Sequence, residues 1–111
     1  MKLRVKFWLE SGSGTYLLGP GALRLLLAVE AEGSLKAGAR AIGLSYRAAW
    51  DRLKKAEEGL GFALLERQSG GEGGGRSALT PEAAELVGRY RAFLEGLEEE
   101  LQARFEQALK G

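Results

Sequence analysis

Leu3, Val5, Phe7 and Leu9 alternate with Lys2, Arg4, Lys6 and Trp8 at the start of the chain, a period of two that predicts a half-buried strand. Ser11-Gly12-Ser13-Gly14 is turn chemistry, so Thr15 to Leu18 is expected to return as the second strand of a hairpin. At Gly19-Pro20 the period changes to three and four. Pro sits near the first helical position, where its missing N–H costs little and its fixed φ is already helical. Leu23, Leu26 and Leu27 carry this helix to Gly33. Ser34 then predicts an N-cap for a helix over Leu35 to Ile42, which Gly43 stops. Ser45 predicts the cap of a third helix from Tyr46 through Trp50 and Leu53 to Gly59 or Gly61.

Two short helices joined by a glycine-containing turn are the parts of a helix-turn-helix, here spanning residues 34–60. Projected at about 100° per residue, Ala49, Leu53, Ala56 and Leu60 form one stripe, with Arg47, Asp51, Lys54 and Glu58 opposite. One face packs and the other looks outward. Phe62 to Glu66 is short and apolar, Ser69 to Arg76 is almost all glycine, and Ser77 to Leu79 is again strand-like, which predicts a hairpin with a long tip over 62–80, a wing. Thr80-Pro81-Glu82-Ala83 supplies a cap, a first-position Pro and an acid in the first turn. It predicts one long helix to about Leu109. Leu86, Tyr90, Phe93, Leu97, Leu101, Phe105 and Leu109 recur every three or four positions along it. So small a body cannot cover so long a stripe, and the distal Leu97, Leu101, Phe105 and Leu109 are expected to pack against a second copy in a homodimer.

The expected fold class is therefore mainly α with small β hairpins (α+β). Residues 1–80 form a winged helix-turn-helix with N-terminal strands, and residues 81–111 a long linker and dimerisation helix of the same domain. A chain of 111 residues with 45% hydrophobic content fits one domain with a real core. It contains no Cys and no His, which excludes disulfides and thiolate metal sites and removes the commonest general base and metal ligand. An enzyme is disfavoured, and neither a metal nor a cofactor is expected. Met1 to Glu10 lacks the apolar run of a signal peptide, and no stretch approaches the roughly 18 apolar residues of a membrane span, so a cytoplasmic location is expected. Asn is absent and Met occurs once, a depletion of thermolabile side chains that points to a heat-adapted source.

A net charge of +1 conceals an asymmetry. Residues 1–60 hold ten Lys or Arg against six acids, and residues 81–111 hold four against seven. A positive and a negative surface are expected to coexist, and only the first can meet phosphate. Its densest stretch lies between Lys36 and Lys55. In a helix-turn-helix the second helix enters the major groove with its first turn nearest the base edges. Arg47 faces away from the core there and can pair two donors with guanine O6 and N7. Tyr46 and Trp50, at the border of the apolar stripe, are candidates for stacking on thymine methyl groups or sugar, against a competing place in the core. Ser45, Lys54 and Lys55 are candidate phosphate contacts, as are Ser34 and Lys36 at the preceding helix start; simple capping and a solvated helix face are the competing readings. Arg67 and Arg76 flank the tip Gly70 to Gly75, whose lack of side chains permits close backbone approach to DNA. Glu98-Glu99-Glu100 fans out by about 100° per residue and cannot converge on one ion.

Residues 43–51 (Gly-Leu-Ser-Tyr-Arg-Ala-Ala-Trp-Asp), followed by the glycine-packed run from Leu65 through Arg67 and Arg76 to Leu79-Thr80, resemble the N-terminal DNA-binding domain of the ModE family of molybdate-responsive regulators. That family shows a similar Ile-Ser-Tyr-Lys-Ser-Ala-Trp-Asp stretch and a similar wing ending in Leu-Thr. The resemblance covers nearly the whole chain, and a weaker one extends to LysR-type regulators. It implies a dimeric, sequence-specific regulator of double-stranded DNA with molybdenum-related target genes. ModE proteins generally continue into molybdate-binding Mop folds, which nothing here resembles, so any molybdate sensing is expected from a separate molybdate-binding protein. The alternative is a winged-helix adaptor that binds protein rather than DNA; the basic charge between Lys36 and Lys55 argues against it.

Overall fold

The computed structural model describes residues 1–67 and 75–111. Leu18, Leu25, Leu26, Val29 and Leu64 are its largest fully buried side chains, and three of these five lie on one helix, α1 (Pro20–Glu32). Around α1 pack α2 (Leu35–Ala41), α3 (Tyr46–Leu60) and the first part of α4 (Pro81–Leu94), which adds Ala83, Val87 and Tyr90 to the core. Two small antiparallel hairpins flank the helices: β1 (Leu9–Glu10) with β2 (Tyr16–Leu18), and β3 (Leu65–Arg67) with β4 (Ser77–Leu79). The last element is α5 (Leu97–Lys110). The Tyr90 hydroxyl is held above the ordinary tyrosine value by burial first and by the neighbouring Tyr16 phenol second.

The α1–α2 contact depends on Gly38. A Cβ there would lie 2.8 Å from the Val29 backbone nitrogen and 2.9 Å from Val29 Cγ2, so only a glycine lets the helices approach this closely. Gly38→Ala gains up to about 1 kcal/mol of helix propensity but forces apart a packed core, at about 1–3 kcal/mol. Urea denaturation is expected to show net destabilisation of roughly 1–2 kcal/mol.

The winged helix-turn-helix order follows the sequence expectation, and two elements differ from it. The strand expected from Leu3 pairs only at Leu9 and Glu10, with a register shift between them. Its partner β2 is three residues long because Gly19-Pro20 begins α1 directly after Leu18, so no ladder exists for residues 1–8. Their alternation still sorts the side chains: Leu3, Val5 and Phe7 are half-buried while Lys2, Arg4, Lys6 and Trp8 are exposed. The segment is tied to α5 instead, where the Gln102 side chain accepts from Leu3 N–H at 2.7 Å and donates to the Met1 carbonyl at 3.1 Å.

The single long helix expected over 81–109 is two helices. Gly96 takes φ +75°, in the left-handed region that glycine enters without a Cβ penalty. Phe93 and Leu97 stand four apart across the break, so the apolar period runs through it unchanged and hides it. Glu98, Glu99 and Glu100 occupy the first turn of α5, where three carboxylates favour a new helix N-terminus through its positive dipole end. A Gly96→Ala chain is expected to lose this turn's unstrained geometry, at about 1 kcal/mol, read as a lower thermal midpoint.

Candidate nucleic-acid interface

Both helices of the helix-turn-helix are capped by serine. Ser34 Oγ accepts from Ala37 N–H and Ser45 Oγ from Ala48 N–H, each at 3.0 Å. Between them the chain reverses through Gly43 at φ +74°, and Leu44 N–H returns to the Ala39 carbonyl at 2.9 Å. This sets the angle at which α3 leaves the body. The wing is joined to the same body by Ser77 N–H, which donates to the Gly33 carbonyl at 2.8 Å, and by Leu64 N–H, which donates to the Glu57 carboxylate at 2.7 Å. Its own base is closed by Thr80, whose N–H donates to the Leu64 carbonyl at 3.0 Å and whose Oγ1 donates to the Ala63 carbonyl at 2.7 Å.

A cleft of about 410 Å³ lies between α3 and the wing, and Lys36, Tyr46, Trp50, Lys54, Arg67 and Arg76 line it. It brings four cations and two aromatic rings into one concave surface. Tyr46 is 55% exposed and Trp50 42%, so both rings are on the surface rather than in the core. One turn earlier on α3, Arg47 pairs with Asp51 at 3.4 Å, with side chains 87% and 58% exposed. An ion pair that open is worth about 0–1 kcal/mol and is readily exchanged for another acceptor.

Residues 20–84 match the family model described as the bacterial regulatory helix-turn-helix protein, lysR family. The chain belongs to the LysR family. It is 36% identical over 92 residues to the molybdenum-pterin-binding protein MopB of Rhodobacter capsulatus, covering 83% of this chain and 34% of that protein. To the molybdenum transport protein ModE of Azotobacter vinelandii it is 38% identical over 85 residues, 77% of this chain and 31% of that one. The chain thus spans about a third of the length of these relatives. Among solved structures, the CbnR_DBD-DNA complex superposes with a TM-score of 0.62 at 25% identity, covering 80% of this chain and 95% of that one.

On this LysR-family frame, the cleft collects six of the ten expected contact residues, and Arg47 stands just outside it. Ser34 and Ser45 cap their helices, each accepting one backbone N–H and keeping its own O–H to donate. Lys55 is set apart: its ammonium lies 5.4 Å from the centre of the Tyr16 ring, towards the first hairpin. Gly75 is exposed, whereas the rest of the expected close-approach tip, Gly70 to Gly74, lies outside the described residues. Leu97, Leu101 and Phe105 are half-buried and Leu109 is exposed, and α5 contains no fully buried residue. Among the described residues no group of three potential metal ligands converges, and no helix is long and apolar enough to cross a membrane. Glu57 also lines the cleft and is absent from the expected set. Its spacing of three from Lys54 is a visible ion-pair signal, obscured by a search confined to cations.

Proposed function

We propose that this chain is the DNA-binding part of a cytoplasmic transcriptional regulator that grips a two-fold symmetric operator as a homodimer. The observation that carries this reading is the arrangement of α3 and the wing, with exposed Tyr46 and Trp50 beside Lys36, Arg67 and Arg76 on one concave face and exposed Arg47 just outside it on α3. The cations supply phosphate attraction and fix the register of α3 on the duplex. Base choice falls to Arg47, which offers a planar fork of donors to guanine, and to the two aromatic rings, which can meet thymine methyl groups. The apolar edge of α5, half-buried at Leu97, Leu101 and Phe105 and exposed at Leu109, supports pairing with a second copy, which would set two α3 helices about one DNA turn apart.

The names of the matched relatives make molybdenum transport or cofactor genes the proposed targets, with molybdate sensed by another region or another protein. Nuclease protection on an upstream fragment of such a gene tests this. Two protected half-sites about 10 base pairs apart, lost as salt rises, are expected. Uniform protection without half-sites would point to a non-specific DNA coat instead.

A further inference from the structure

Glu57 is the one acid in the cation-lined cleft whose side chain is largely removed from water, at 15% exposure. One carboxylate oxygen takes the Lys54 ammonium at 3.1 Å, and the other accepts from Leu64 N–H at 2.7 Å. Lys54, in turn, lies 5.2 Å from the centre of the Trp50 ring. Leu64 is the fully buried residue that leads into β3, and its carbonyl is held from the other side by Thr80 N–H. A single carboxylate therefore joins a cation on the outward part of α3 to the base of the wing.

We propose that Glu57 is a specificity-determining positioning residue. It cancels the charge of Lys54 inside the cleft while fixing the start of the wing relative to α3. The inference rests on the DNA-binding reading given above. Sequence-independent affinity comes from the number of phosphates neutralised. A lysine already paired with a largely covered carboxylate adds less to that number until contacts elsewhere hold a phosphate close enough to compete. Random DNA provides the attraction without those contacts. Glu57 thus lowers non-specific binding more than operator binding, and the separation between the two is the quantity a regulator needs.

The two jobs can be separated. In Glu57→Gln the amide oxygen still accepts from Leu64 N–H, but the charge that holds Lys54 is gone. Affinity for random duplex is expected to rise roughly five- to tenfold near 0.1 M salt, and the slope of log K against log salt to steepen by about 0.9, one extra phosphate. The operator-to-random ratio is expected to fall. Lys54→Met should remove the effect, so that Glu57→Gln in a Lys54→Met background leaves the slope where Lys54→Met alone puts it. Glu57→Ala loses the wing contact as well, and its operator affinity is expected to drop below that of Glu57→Gln. Thermal midpoints of all variants show which remain folded.

A Glu57→Gln slope equal to wild type, with affinity reduced alike on every sequence, would mean a purely structural role and overturn the inference. A wild-type chain that does not retain duplex DNA at any salt would remove the DNA-binding reading itself, and this inference with it.

Discussion

Replacing Leu101 and Phe105 together by glutamate is expected to leave the winged helix-turn-helix folded while sedimentation velocity shows a monomer in place of a dimer. Neither residue belongs to the cluster of buried core side chains, and the polar ties of α5 to the N-terminal segment run through Gln102 rather than through them. Two charges in the middle of the apolar edge leave carboxylates to be buried without partners in any helix-to-helix contact, a cost large enough to abolish it. The functional consequence follows from geometry rather than chemistry. Two linked recognition helices bind as one body, and the second half-site is found at a high effective concentration. Separating them is expected to lower operator affinity by about 10²–10⁴-fold, with each α3 still able to read its half-site. A double variant that stays dimeric would place the contact elsewhere, with exposed Phe93 on α4 as the next position to test.

Arg47→Ala is expected to act on discrimination. Its side chain is almost fully exposed and held only by the open pair with Asp51, so little stability should be lost. A bidentate arginine–guanine contact contributes about 1–3 kcal/mol of preference over the wrong base, which corresponds to a fall of roughly 5- to 150-fold in the ratio of operator to random binding. Arg47→Lys separates charge from shape. Lysine keeps the positive charge but lacks the planar fork, so it should retain random-sequence affinity and the salt slope while losing most of the preference. A ratio unchanged in both variants would remove Arg47 from base recognition and leave the aromatic pair Tyr46 and Trp50 as the readers.

How far the sequence foretold this structure depended on whether local chemistry or distant packing decided each element. The caps were legible because Ser34, Ser45 and Thr80 each accept from the backbone N–H three residues on, a contact fixed by neighbours alone. The stripe of Ala49, Leu53 and Ala56 was legible for the same reason, since helical period and burial coincide there. The first strand was not, because Leu3 to Trp8 alternate correctly but pairing requires a partner, and β2 ends where Pro20 begins a helix. The break at Gly96 was hidden by an apolar spacing of three or four that holds on both sides of it. Of the cations in the cleft, Lys54 was found from its face of α3, Lys36 from its helix start, and Arg67 and Arg76 from the glycine tip they flank. The spacing of Lys54 and Glu57 was visible, but only the fold could reveal that Glu57 also holds Leu64 N–H and that Lys55 turns towards Tyr16. These are differences between residues of one type, settled by elements far apart in sequence.

The central claim is sequence-specific duplex recognition by α3 and the wing, and selection of bound sites from a random duplex pool, repeated as salt is raised, tests it most directly. The account predicts enrichment of a two-fold symmetric motif whose half-sites lie about 10 base pairs apart, with affinity falling steeply in salt. A pool that remains random after repeated rounds, with no duplex retained even at low salt, would contradict it and assign the cleft to a protein partner.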